Sequence, residues 1–214
     1  MGIVGESGSG KSTIAKSILK INNFSKGKIS YNNIDIKKYE NKKLRRKIQL
    51  VFQDPYSSLN PEMSAGISII EPMIAHQMYN KTKRVEKAYQ LLEDVGLNKN
   101  DFNKYPNQFS GGQRQRLVIA RALSLNPKIV ICDESVSALD VSIQAQILNL
   151  INSLKKKFSI TFLLISHDLS VVRYMTDRVI IIKNGEIEES GETDKIFENS
   201  TNNYSKKLLN ANGY

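Results

Sequence analysis

The chain has 214 residues, 40% hydrophobic and 24% charged, a balance that suits one folded core with a smaller insertion and excludes a disordered or fibrous chain. Its formal charge is +10, but Lys and Asn recur along most of its length and no basic stripe is interleaved with aromatics, so no nucleic-acid partner is expected. No apolar run approaches the roughly 18 residues of a spanning helix; with one cysteine, Cys132, and no signal sequence read at the start, a reducing cytoplasm is expected, with any membrane contact made through a partner.

In chain order, Met1 to Val4 read as the end of a buried strand that enters a glycine-rich turn and then a helix over about 11–20. Strand-like pieces follow at Ile29–Tyr31 and Ile34–Ile36, then a basic segment, then a strand at Ile48–Phe52 that stops at Gln53-Asp54-Pro55. From Pro61 to Pro106 the period becomes helical: Val85, Ala88, Leu91, Leu92 and Val95 share a face before Gly96 ends the run, which marks an insertion. A helix opens after Ser110-Gly111-Gly112 and is closed by Asn126-Pro127. Two strands, Ile129–Cys132 and Ile160–Ile165, flank a helix over about 142–156, and the second is apolar on both faces, as parallel strands covered on both sides are. Val179–Ile182, Asn184-Gly185 and Glu186-Ile187 form a hairpin, since Asn-Gly favours positive φ. The tail from Ser200 reads as a mobile end with one short helix.

Gly5-Glu6-Ser7-Gly8-Ser9-Gly10-Lys11-Ser12, followed by Thr13, fits G-x-x-x-x-G-K-[ST] between a strand and a helix. Glycines there let main-chain N–H groups wrap a phosphate at a positive helix end. Lys11 can neutralise the β- and γ-phosphates, and Ser12 can offer its hydroxyl to Mg²⁺. The bland alternative is a flexible glycine-serine turn. The strand Ile129–Cys132 then delivers two carboxylates to the sheet's carboxyl edge, Asp133 to hold Mg²⁺ and its hydration shell and Glu134 to polarise an attacking water. Its bland alternative, an acidic turn, loses weight beside Lys11.

Phe109-Ser110-Gly111-Gly112-Gln113 at a helix start resembles the ABC signature, and Gln53, Asp140 and His167 stand where that family has its Q-loop, D-loop and switch histidine. The resemblance covers most of the chain. It implies an α/β phosphate-loop NTPase, a RecA-like core with a mostly parallel sheet over 1–60 and 117–214, and an inserted helical subdomain over 61–116. It implies ATP and Mg²⁺ as cofactors, and a head-to-tail dimer in which Ser110 and the neighbouring glycine amides contact the γ-phosphate held by the other subunit's phosphate loop. It further implies that His167 contacts the γ-phosphate, and that Gln53 senses Mg²⁺ and water and signals to a membrane subunit. The stretches Val51–Pro61, Phe109–Arg116 and Val136–Gln146 resemble the second ATPase subunit of oligopeptide and dipeptide importers, a group that includes nickel and glutathione importers. The implied partners are a related ATPase in a heterodimer, or a second copy in a homodimer, then transmembrane permease subunits and indirectly a solute-binding protein. The implied place is the cytoplasmic face of the membrane.

Three departures from the pattern stand out. Ser135 replaces a proline, which loosens the turn after Glu134, and no cysteine follows Cys132, so no metal cluster is expected. The chain also starts four residues before Gly5, whereas the family pattern has an antiparallel layer and an adenine-stacking aromatic there. A truncated layer is therefore expected, with Ile29 to Ile36 as an unpaired, exposed edge and with adenine held weakly for want of an aromatic platform ahead of Gly5; the alternative is an adenine contact from Tyr31 or Tyr39. A truncated or degenerate subunit without turnover is the second functional reading. A soluble DNA-repair-type ABC ATPase is the third, disfavoured because the segment between Gln53 and Ser110 has room only for a compact helical subdomain.

Overall fold

Short β-branched runs alternate with helical stretches, and this alternation builds a sheet covered on both faces. The computed structural model describes residues 1–214 apart from Gln53 and Ala138. The strands are β1 (Gly2–Val4), β2 (Ser30–Tyr31), β3 (Ile34–Asp35), β4 (Ile48–Val51), β5 (Ile129–Asp133), β6 (Thr161–Ile165), β7 (Arg178–Lys183) and β8 (Glu186–Glu192). The helices are α1 (Lys11–Ile18), α2 (Asn41–Lys47), α3 (Pro55–Ser58), α4 (Ala65–Ala75), α5 (Lys81–Asp94), α6 (Gly111–Leu123), α7 (Val141–Phe158), α8 (Leu169–Met175), α9 (Thr193–Asn199) and α10 (Asn203–Asn210).

The main sheet runs in the order β4-β5-β6-β1-β7-β8, parallel throughout except for the β7–β8 hairpin. The period of two along each strand divides its side chains between two cores. Ile3, Ile131 and Ile165 pack with Ala15 of α1, with Leu19 just past its end, and with Ile36 and Leu44. Val4, Val130, Cys132 and Leu164 pack with Ile147, Ile151 and Leu154 of α7. Each fully buried aliphatic side chain contributes about 1.5–3 kcal/mol.

The second core continues into the helical region through Ile69 and Met73 of α4, Leu92 of α5 and Leu117 of α6. Ala88, Leu91, Leu92 and Val95 are buried as their spacing predicts, and Gly96, at φ 73°, ends the run. The mostly parallel α/β sheet with helices expected from the sequence is thus present.

Three local expectations change. The basic segment is the helix α2, in which only Leu44 is buried. The pieces near Ile29 and Ile36 are not a lone edge: β2 and β3 pair with each other, turning through Asn32 and Asn33 at φ 48° and 63°. The tail is docked rather than loose, with Leu209 buried and the Tyr214 ring edge-on to Phe197 at 5.0 Å.

Candidate functional site

β1 ends at Val4 and the chain turns at once through 5–10 into α1. A Cβ on Gly5 would lie 2.1 Å from the Ile182 carbonyl oxygen, so the loop can press on β7 only because Gly5 has no side chain. Gly10 starts α1 with φ 103°, a left-handed conformation. The β7–β8 turn holds the loop from outside, the Gly185 amide donating to the Ser9 carbonyl at 3.0 Å. Glu6, Ser7 and Gly8 are exposed, as are Ser12 and Thr13 on the first turn of α1.

Lys11 is only 4% exposed. Its Nζ donates to Gly5 O at 2.8 Å, Glu6 O at 2.7 Å and Ser9 Oγ at 3.3 Å. Burial lowers its pKa, and the carboxylates of Glu134 and Asp133 oppose that shift. The next residue reaches across to β5: Ser12 Oγ donates to Asp133 Oδ1 at 3.0 Å. Burial raises the Asp133 pKa; the Ser12 hydrogen bond counters this and the neighbouring Glu134 charge adds to it. Cys132, behind them, is buried and pushed up to about 12, an inert thiol.

Pairing of β5 with β6 sets Asp133 opposite Ile165, so Glu134 and His167 leave adjacent strand ends. Glu134 takes φ 48° and its amide donates to Ile165 O at 2.9 Å. Its Oε1 then stands 3.3 Å from His167 Nδ1, with the His167 side chain 58% exposed and that of Glu134 22%. The structure thus gathers Lys11, Ser12, Asp133, Glu134 and His167 at one edge of the sheet.

A magnesium-bound polyphosphate fits this edge. The partners of Lys11 are neutral oxygens that an anion can displace, and the loop opens a helix whose first amides are free. Ser12 and Asp133 supply hard oxygen ligands. A Mg²⁺ held there would complete its coordination with phosphate oxygens and water.

The second helix start is built separately. The Ser110 amide donates to Gln113 Oε1 at 3.0 Å and Ser110 Oγ accepts from the Gln113 amide at 3.3 Å, a capping box at the head of α6. Gly111 and Gly112 face Leu139 and Ile143, and a Cβ on Gly112 would stand 2.6 Å from Ile143 Cγ2. Asp140 occupies the N-cap of α7 without a side-chain cap bond. Gln53 lies outside the described residues. Tyr31 and Tyr39 cannot serve an adenine at the phosphate loop: they line a cavity with Lys47, Lys128 and Thr161 at the amino ends of β4–β6. β5 alone separates that edge from Asp133 by about 13 Å. Tyr204 of α10, which carries no motif, does approach the loop, at Glu6.

Residues 1–137 match the family described as ABC transporter. The oligopeptide transport ATP-binding protein OppF of Bacillus subtilis is 46% identical over 99% of this chain and 71% of its own length. The glutathione import ATP-binding protein GsiA of Pectobacterium atrosepticum is 46% identical over 99% of this chain and 34% of its own length. The di/tripeptide transport ATP-binding protein DppF of Pseudomonas aeruginosa is 42% identical over 99% of this chain and 66% of its own length. Among solved structures, cbiO1 from Clostridium perfringens, part of the ABC transporter complex cbiONQ, superposes with a TM-score of 0.84 at 28% identity over 93% of this chain and 79% of that one. The dimeric post-hydrolysis state of the ATP-binding cassette MJ0796, bound to ADP and Pi, gives 0.76 at 32% identity over 90% of this chain and 84% of that one.

Proposed function

The chain belongs to the ABC transporter family, and from that membership we propose that it is an ATP-hydrolysing subunit that powers an importer, with peptides as the cargo class, at the cytoplasmic face of a membrane. The observation that carries the reading is the joined cluster Lys11, Ser12–Asp133 and Glu134–His167 at the sheet's carboxyl edge. Similarity to OppF and DppF supports the peptide cargo; similarity to GsiA keeps a glutathione-like cargo as the variant reading. Among the described residues no helix is long and apolar enough to cross a membrane, so permease subunits supply the path.

Lys11 leaves its loop carbonyls and neutralises the β- and γ-phosphates, while the loop amides orient them. Ser12 and Asp133 would hold Mg²⁺, which when bound would withdraw charge from the phosphates. Glu134 orients and deprotonates the attacking water, and His167, exposed beside it, stabilises the charge that grows on the transferred group. Gln53 senses Mg²⁺ and water and passes the nucleotide state to the permease. The helical subdomain, 61–116, presents Ser110, Gly111, Gly112 and Gln113, with Asp140 nearby in sequence to α7, to the nucleotide of a partner ATPase; closing the dimer completes each site. A groove beside β4 and α6, lined by Phe52, Pro72 and Val118 together with Glu71, His76 and Arg121, is the face assigned to the permease.

The test is Glu134→Gln, which keeps shape and removes the base. Turnover falls about 10²- to 10⁴-fold, MgATP binding persists, and size-exclusion chromatography shows an ATP-dependent dimer. Hydrolysis at the parent rate would overturn the assignment.

A further inference from the structure

At the edge of the sheet opposite the phosphate loop, the amino ends of β4, β5 and β6 open into a cavity of about 780 Å³. Its floor is fixed by main-chain bonds. The Lys128 amide donates to the Lys47 carbonyl at 2.8 Å and the Thr161 amide to the Lys128 carbonyl at 3.0 Å, leading into the registers that pair Ile48 with Ile129 and Ile129 with Thr161. A second wall comes from β2 and the chain after β3, where Tyr39 Oη donates to the Tyr31 carbonyl at 3.2 Å and Lys20 Nζ donates to the Tyr39 carbonyl at 2.9 Å. Lys43, Arg46 and Lys47, spaced to share one face of α2, line the cavity together with Lys128, and no carboxylate is among its lining residues.

Four like charges around one hollow repel each other unless an anion neutralises them. The chain's own acids do not: among the described residues Arg46, Lys47 and Lys128 form no ion pair, and Lys43 has only Glu40 at 3.5 Å, with both side chains largely exposed. Such an exposed pair offsets little. Complementing the dipole at the end of α2 explains Arg46 and Lys47, but neither Lys43, a turn earlier, nor Lys128, on another element. The cations meet at one concavity instead of running in a stripe, which suits a compact anion and not a nucleic-acid backbone. The volume is that of a small-molecule site, and the half-buried rings of Tyr31 and Tyr39 add apolar surface beside the charges. We infer that this cavity is a second anion site, separate from the phosphate loop, which takes a small soluble molecule carrying two or more phosphates. The inference does not depend on the reading of the phosphate loop.

Pyrophosphate is the minimal probe, titrated calorimetrically at low salt and without Mg²⁺ into the full chain, with thermal melting alongside. Three chains are compared: the parent, Arg46→Glu/Lys128→Glu, and Lys81→Glu/Lys206→Glu, which makes the same change in net charge on exposed residues of α5 and α10. The cavity pair takes up one equivalent fewer than the parent over the concentrations that fill the parent, because affinity at the cavity falls about ten- to hundredfold. It also loses the rise in melting temperature that pyrophosphate gives the parent through the cavity, while the control pair keeps both. Parent-like uptake by the cavity pair overturns the inference, as does an equal loss in the control pair, which would reduce the effect to net charge. Equal uptake of chloride in place of pyrophosphate overturns it too, leaving only a diffuse ion atmosphere. So does sedimentation of the parent with phosphatidylglycerol vesicles without any response to pyrophosphate, since the basic face would then serve a lipid surface.

Discussion

Replacing Gly112 by alanine separates what the head of α6 does within the chain from what it does for a partner. An added Cβ would stand 2.6 Å from Ile143 Cγ2 on the first turn of α7, about 1 Å inside ordinary contact. Ile143 is β-branched and helical, so its χ1 has essentially one good setting and the methyl cannot swing aside cheaply. Overpacking of this kind costs about 1–3 kcal/mol, and the better helix propensity of alanine returns at most about 1 kcal/mol. The expected net loss is about 1–2 kcal/mol, which for a chain of this size lowers the melting temperature by about 2–8 °C. The assay is a double-mutant cycle by thermal and urea denaturation with Gly112→Ala, Ile143→Ala and the pair. The pair should recover most of the loss, since the truncated side chain leaves room for the new methyl. A Gly112→Ala chain that melts at or above the parent, or an equal loss in both backgrounds, would refute the packing argument.

Two further outcomes follow from the site. Because burial raises the Asp133 pKa in the fold, its ionised form destabilises the nucleotide-free chain: the penalty is absent below the ordinary carboxylate range, grows as pH rises through the raised value, and is complete above it. Asp133→Asn without Mg²⁺ should therefore melt above the parent at neutral pH, with the gap closing as pH falls toward 4; a gap independent of pH contradicts this. Ser110→Arg should lose the α6 capping box, at about 1 kcal/mol, and block hydrolysis while the monomer's own MgATP affinity stays at the parent value. A collapse of that affinity, measured by titration below the dimerisation concentration, would show that Ser110 serves its own chain's nucleotide.

Where chemistry depended on consecutive residues, it was legible in the chain. The turn at Gly5–Ser12, the carboxylates ending β5 and the hairpin at Asn184-Gly185 needed only local spacing. The pairing of Glu134 with His167 needed the adjacency of β5 and β6, and strand order is not written in either strand. α2 is not legible because one buried residue, Leu44, gives no periodic signal amid lysines and arginines. The docking of the tail is hidden for a related reason: its polar composition masks anchoring by Asn202, Glu188 and Glu189, which is made of hydrogen bonds rather than apolar surface.

The central place of β1 has a consequence for how the chain comes into being. Gly2 and Ile3 pair with Leu164 and Ile165 on one side, and Gly2, Ile3 and Val4 with Val179, Ile180 and Ile181 on the other. The phosphate loop that follows them is braced by Ile182 and Gly185. β1 thus leaves the ribosome well ahead of both of its neighbours, by roughly 10 to 40 s at ordinary synthesis rates. Nucleotide cannot assist the early stages of folding, since its cradle does not exist until the final third of the chain has arrived. Such distant pairing makes folding slow, and nascent β1, an apolar strand awaiting both partners, is a segment that a chaperone would protect.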